Sequence, residues 1–182
     1  GQLLLKCGRQ EEAGPLVERL VSGHGGRPET RILRGRMLER AGDLEGAAEA
    51  YLNAWTLAKP NPGVARMEAL VRAGELLAET ARHDEGGKLL ERALELYQGQ
   101  ADLSAPEFAW VARACRLLDT FPAAKKQYQR KMVDYSRRML DQALLADPSS
   151  VAAEVEAGTL ALLKYDTPGA VKAFTRACEL DP

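Results

Sequence analysis

The 182 residues carry 25 Lys and Arg against 26 Asp and Glu, a net charge of −1, and 46% of them are hydrophobic while 28% are charged. That balance excludes a disordered chain and lacks the basic surplus that nucleic-acid binding needs. No apolar run approaches the ~18 residues of a membrane-spanning helix, and Gly1 to Cys7 shows neither the basic start nor the small-residue cleavage site of a signal peptide.

Aromatics are scarce, while Ala, Leu, Arg, Glu and Gly abound, the composition of small helices packed closely together. Residues 1–27 read as the last part of a first helix, a turn at Gly8-Arg9, and a second helix with Ala13, Val17 and Leu20 on its packing face. In 28–61, Gly35 and Leu38 lie on a first helix and Gly42-Asp43 makes the turn. Ala47, Tyr51 and Ala54 then form the second helix's face, and Pro60 follows its end. In 67–100, Gly74 and Leu77 precede a turn around Arg82-His83-Asp84, after which Gly86, Leu90, Ala93 and Leu96 recur at helical spacing.

Residues 107–150 are stretched. A linker at Ala101 to Pro106 offers Ser104 as a cap and Pro106 at a helix start. Ala123 to Ala146 contains no Pro or Gly, which predicts one helix of roughly 24 residues, about 36 Å long. Its later half packs through Ser136, Leu140 and Ala143, and its earlier half projects with Lys125, Lys126, Tyr128 and Arg130. The plainer reading of that projection is a solvated face. In 151–182, Gly158 marks a close contact on the first helix. Thr167 is placed to cap the second helix, and Pro168 suits its first position. Ala170, Phe174 and Ala177 share one face, with Phe174 the knob between two small residues.

Small residues at Gly1, Gly35, Gly74, Ala114 and Gly158 are separated by 34, 39, 40 and 44 residues. A second series at Ala13, Ala47, Gly86, Ser136 and Ala170 steps by 34, 39, 50 and 34. A 34-residue step with helix-turn-helix patterning is the period of a helical-pair array. With these trios, the Gly42-Asp43 turn and the Asp-Pro pairs at Asp147-Pro148 and Asp181-Pro182, the chain resembles the tetratricopeptide repeat (TPR) family. The large aromatic that often opens the family's first helix appears only at Trp110. The resemblance implies an all-α fold, a right-handed α-solenoid of stacked antiparallel helix pairs. It also implies a single array over 1–182, with units at 1–27 (partial), 28–61, 67–100, 107–150 (with insertions) and 151–182. Both ends read as cuts from a longer protein.

In the resembled family the first helices line a concave groove. Here that face would carry Glu29, Arg36, Glu39, Arg40, Glu68, Arg72, Glu75 and Glu79 in the early repeats, a mixed-charge surface. In the late repeats it would carry Phe108, Val111, Ala112, Cys115, Leu118, Val155, Thr159 and Leu162, an apolar strip that marks an interaction site unless neighbouring repeats cover it. The family's carboxylate clamp needs Lys and Asn at places that here hold residues such as Ile32, Arg36, Val71 and Glu75, so no clamp is expected.

Chemistry is hard to find. His24 lies in a Gly-rich loop and His83 in a turn, neither with metal-ligand spacing. Gly23 to Gly26 lacks the Gly-Lys-Ser/Thr of a phosphate cradle. Cys7, Cys115 and Cys178 are far apart and fit packing residues in a reducing compartment, hence a cytoplasmic location. Catalytic, cofactor and metal sites are therefore not expected. The expected function is a non-catalytic protein–protein interaction scaffold in a multi-subunit assembly. It would bind a partner peptide or helix in the groove or on the helix at 123–146, with no nucleic acid and no membrane insertion. Two alternatives stand beside it: a regulatory or substrate-recruiting arm of an enzyme whose catalytic domain lies outside this chain, and self-association through the apolar late groove.

Overall fold

A computed structural model describes residues 10–58, 63–80, 82–98, 102–120 and 131–181. Among them the regular structure is entirely helical: α1 (Gln10–His24), α2 (Pro28–Arg40), α3 (Leu44–Ala58), α4 (Val64–Glu79), α5 (His83–Gln98), α6 (Ala105–Thr120), α7 (Met132–Ala146), α8 (Val151–Leu163) and α9 (Thr167–Leu180). The chain divides into two compact units, Gly1–Leu89 and Leu90–Pro182, the boundary falling within α5.

In the first unit α2 packs against α1, α3 and α4, and α3 against α4. The core gathers Ile32, Ala47, Ala48, Tyr51, Ala54, Ala69, Ala73, Leu76 and Leu77. Tyr51 is fully buried, and a Cβ on Gly35 would come within 2.8 Å of its ring. Only a residue without a side chain lets α3 bring that ring down onto the α2 backbone. The next hairpin uses backbone in place of a ring: a Cβ on Gly86 would lie 2.5 Å from the Gly74 carbonyl oxygen, so α5 begins in direct contact with α4. Ala13 and Gly8-Arg9 lie outside what is described of side chains and chain, respectively. Val17 is buried as its spacing predicts, but Leu20 is 40% exposed; among the described helices α1 packs on α2.

The second unit repeats the device. Here α6 packs on α7, α8 on α9, and α8 also touches α6 and α7. Gly158 faces Phe174, whose ring would sit 2.7 Å from an added Cβ. Between α6 and α7 the small residue is Ser136, buried completely, with its hydroxyl donating to the Ala112 carbonyl at 2.9 Å. Leu140 and Ala143 continue that face and are buried. The described helix starts at Met132, and the earlier half of the expected long helix, with Lys125, Lys126, Tyr128 and Arg130, lies outside the described residues.

The turns are as informative as the core. After α2, the Asp43 amide reaches back to the Leu38 carbonyl and the Gly42 amide to that of Glu39, a Schellman closure with Gly42 in the left-handed region at φ 82°. Asp43 then caps α3 by accepting from the Gly46 amide at 2.9 Å. After α8 the same two bonds join Asp166 to Ala161 and Tyr165 to Leu162, and Asp166 accepts from the Gly169 amide at 3.0 Å. Asp166 therefore caps α9, not Thr167, which is already the first helical residue. In this second copy the left-handed position is held by Tyr165 at φ 59°. Ser104 does cap α6. Its amide and hydroxyl both donate to Glu107 Oε2, at 2.9 and 2.5 Å, the reciprocal arm of a capping box. The remaining starts differ from expectation by a turn or less: α4 begins at Val64, ahead of Met67, and His83 and Asp84 belong to the first turn of α5.

Two stability measurements follow from this packing. Gly158→Ala should lower the stability read by urea unfolding by about 1–3 kcal/mol through overpacking on Phe174, and Phe174→Leu in the same chain should restore part of the loss. Tyr165→Gly should raise stability by up to about 1 kcal/mol, because a left-handed L-residue costs roughly 1–2 kcal/mol and a ring 94% exposed gives up no packing. An unchanged or lowered midpoint would mean that the Tyr165 ring makes a contact of its own.

Candidate functional site

The charges expected to line the early groove are largely paired with one another. Arg36 of α2 donates through Nε to Glu68 of α4 at 2.8 Å, and Glu68 is buried. Arg72 of α4 bridges back to Glu39 of α2 and, through its other amino group, to Glu75 at 2.7 Å. Glu39 is also tied to the core, accepting from the Tyr51 hydroxyl at 2.6 Å. This chain of bonds runs from the aromatic knob on α3 through Glu39 to α4, so the face that looks mixed-charge in sequence is a staple between two consecutive first helices. Arg40, Glu29 and Glu79 remain exposed.

The second unit places an Arg–Glu pair at the corresponding junction, with the arginine on the earlier helix as in Arg36–Glu68. Arg116 of α6 holds Glu156 of α8 through both Nε and its NH2 group, the latter at 3.3 Å from Oε2. Only 11% of the Arg116 side chain and 7% of the Glu156 side chain reach solvent. Lys164 adds a looser contact to Asp119 at 3.4 Å. A buried pair of this kind contributes little when intact relative to apolar residues, yet losing one member leaves an uncompensated charge.

The apolar strip divides. Val111, Cys115 and Leu118 are buried, with exposures of 2% or less, and Ala112 is buried with them. They are core, because α6 packs against both α7 and α8 and has little free circumference. Phe108 is half-buried. Burial pushes the Cys115 thiol up to about 12, so it stays protonated at neutral pH and serves as a small packing residue. On α8 the outcome is the opposite. Val155 and Leu162 are 44% and 52% exposed, with the half-buried Thr159 between them, and Leu163 and Tyr165 extend the apolar surface. The sequence-predicted apolar site therefore contracts to one helix and the turn after it.

Elsewhere, Cys178 is a free, exposed thiol, and Cys7 lies outside the described residues. Among the described residues, no group of His, Cys, Asp and Glu is arranged to hold a metal, and no helix is long and apolar enough to cross a membrane. Two features escaped the sequence reading. One is the pairing of the first-helix charges across a repeat. The other is a cleft of about 850 Å³ in the first unit, at the start of α2, the end of α3 and the start of α4. Nothing short of the packed helices brings its residues together.

Removing one partner from the buried pair should show its cost. Glu156→Ala should lower stability by about 3 kcal/mol in urea unfolding followed by circular dichroism. Replacing both members, as Arg116→Leu with Glu156→Leu, should recover most of that loss. Equal losses in the single and double variants would show that the side-chain volumes, and not the charges, matter there.

No protein-family profile matches the chain, and no curated protein matches it. Solved structures do. A chain of the APC/C hetero-tetramer Cut9–Hcn1 superposes with a TM-score of 0.60 at 16% identity, over 97% of this chain and 30% of that one. TTC0263, a thermophilic TPR protein of Thermus thermophilus, superposes with a TM-score of 0.56 at 14% identity, over 85% of this chain and 74% of that one. MamA (41-end) from Desulfovibrio magneticus RS-1 covers 99% of this chain and 90% of its own at 19% identity, with a TM-score of 0.46; the fold comparison rests on the first two. With its small-residue contacts, Asp-capped hairpins and first-helix staples, the chain has the helix-pair fold of the tetratricopeptide repeat type.

Proposed function

We propose that this chain is a non-catalytic scaffold that holds a protein partner, as one component of a larger assembly. The observation that carries the reading is the exposed apolar row Val155–Thr159–Leu162 on α8, continued by Leu163 and Tyr165. Three leucine or valine side chains and a tyrosine standing 43–94% in water on one helix and its following turn are costly to leave hydrated. They suit the apolar face of a partner helix or an extended segment. The fold supports the same reading: TTC0263 is a TPR protein, and the other similar chain was solved within the hetero-tetramer Cut9–Hcn1. Lys125, Lys126, Tyr128 and Arg130 belong to the proposal as a second contact, on residues outside the described part of the chain. A cytoplasmic, reducing setting, expected from the three cysteines, also belongs to it.

The test is capture of partners by the immobilised protein, identified by mass spectrometry, followed by the same capture with Val155→Glu and Leu162→Glu together. The double variant should lose the partner while its far-UV circular dichroism stays unchanged, since both positions already face water. Retention of the partner by a folded double variant would reject α8 as the contact. A partner seen only as a second copy of the chain, with a concentration-dependent mass by light scattering, would favour self-association.

A further inference from the structure

Helix α8 leaves one uncharged row open. Ala152, Val155, Thr159 and Leu162 follow one another at three, four and three residues, the spacing at which a helix presents a single seam to another helix. Val155 and Leu162 are 44% and 52% exposed, Ala152 is exposed and Thr159 is half-buried. The acids of α8 stand off this row. Glu156 is buried against Arg116, and Glu154, one residue before Val155, turns to a neighbouring face. The row's one polar side chain is already engaged, the Thr159 hydroxyl donating to the Val155 carbonyl at 2.9 Å.

That chemistry selects the kind of occupant. An extended segment laid along the row would bury backbone N–H and C=O groups with almost nothing to answer them, at about 1–3 kcal/mol for each. A helix carries those bonds within itself. The occupant is therefore a helix with an uncharged seam of similar length, about 20 Å for the 13 residues of α8. The chain's own α8 meets that description, and its order of residues suits pairing with itself. Turned antiparallel about a twofold axis, it sets Ala152 against Leu162 of the copy and Val155 against Thr159 of the copy. One layer joins the smallest residue to the largest and the other joins two of nearly equal size, so the layers are equally wide and pack without a void. A parallel pair would stack Ala152 on Ala152 and Leu162 on Leu162, open at one end and crowded at the other.

Tyr165 is an independent pointer. Its ring is 94% exposed at a left-handed position, φ 59°, that the hairpin of α2 and α3 gives to Gly42. One copy alone holds that ring at a backbone cost of roughly 1–2 kcal/mol and packs nothing against it. In an antiparallel pair the end of one α8 lies over the start of the other, which brings the ring to the half-buried Val151 of the copy.

We infer that two copies of this chain associate through α8, antiparallel about a twofold axis, with the two rows packed together and each Tyr165 ring closing over the other's Val151. The inference rests on the reading of α8 as the contact surface and names its occupant. One pair of helices this short buries less than the roughly 1,200 Å² of a standard interface, so the dimer is weak, with a dissociation constant between about 10 µM and 1 mM.

Sedimentation velocity of the whole chain from about 5 µM to 1 mM spans that range and should show monomer giving way to dimer. Val155→Glu with Leu162→Glu should stay monomeric throughout, with unchanged far-UV circular dichroism. Tyr165→Gly should weaken the dimer about tenfold, the loss expected when a buried ring is removed. Orientation is read with Cys7→Ser and Cys178→Ser as background. Val155→Cys chains mixed with Thr159→Cys chains and mildly oxidised should give the mixed disulfide in excess of either homodisulfide. A chain that is monomeric to the top of the range overturns the inference; capture of a different protein through Val155 and Leu162 would then leave the scaffold reading standing, with a foreign helix as the occupant. A dimer that persists in the double Glu variant also overturns it, and if that variant keeps its captured partner the α8 contact falls as well. Homodisulfides equal to or exceeding the mixed product, or a dimer indifferent to Tyr165→Gly, would overturn the antiparallel arrangement.

Discussion

Two helices of a hairpin can approach to within a side chain's thickness only where one of them has no side chain or a very small one, and that single contact organises the hairpins of both units. In the first unit it is Gly35 under Tyr51, and in the second Gly158 under Phe174. The hairpin of α4 and α5 dispenses with the ring and sets Gly86 against the Gly74 carbonyl, while α6 and α7 meet through a buried serine that hydrogen-bonds the Ala112 carbonyl. What is invariant is the space, and the aromatic, the carbonyl and the hydroxyl are alternative ways of filling it without a void or an unsatisfied group.

A second constraint acts between hairpins. A first helix must pack on the next first helix with part of its surface near water, and here both units do this with arginine and glutamate. In the first unit two pairs run in opposite senses, Arg36 to Glu68 and Glu39 to Arg72, and in the second Arg116 comes from the earlier helix and Glu156 from the later. Each pair ties a first helix to the next, and losing either member leaves a largely buried charge unanswered.

Much of this was legible from the residues. Ala47–Tyr51–Ala54 and Ala170–Phe174–Ala177 mark their core faces by spacing alone, and Gly42 announces its own turn. What stayed hidden depends on neighbours. Val111, Cys115 and Leu118 have the same spacing as an exposed strip, and only the packing of α6 on two other helices buries them. The cap at Asp166 was within reach: Asp43 and Asp166 both stand three residues before a glycine and four before the small packing alanine, a repeat inside the repeat that outranks the generic preference for Thr167. Tyr165 could not have been read as left-handed, since that position is fixed by the Schellman bonds on either side of it and not by the residue.

These internal commitments narrow where recognition can occur. A ligand that engaged Arg36, Arg72 or Arg116 would have to part it from a glutamate that is itself largely buried, and leaving such a carboxylate unpaired costs several kcal/mol before any new bond forms. Recognition meets the least resistance at groups the fold has not already used. The exposed valine and leucines of α8 are such groups. The conspicuous charges of the first helices are thus the least available for binding, because they assemble the surface, and the residues that remain unanswered within it are those with free energy left to give a partner.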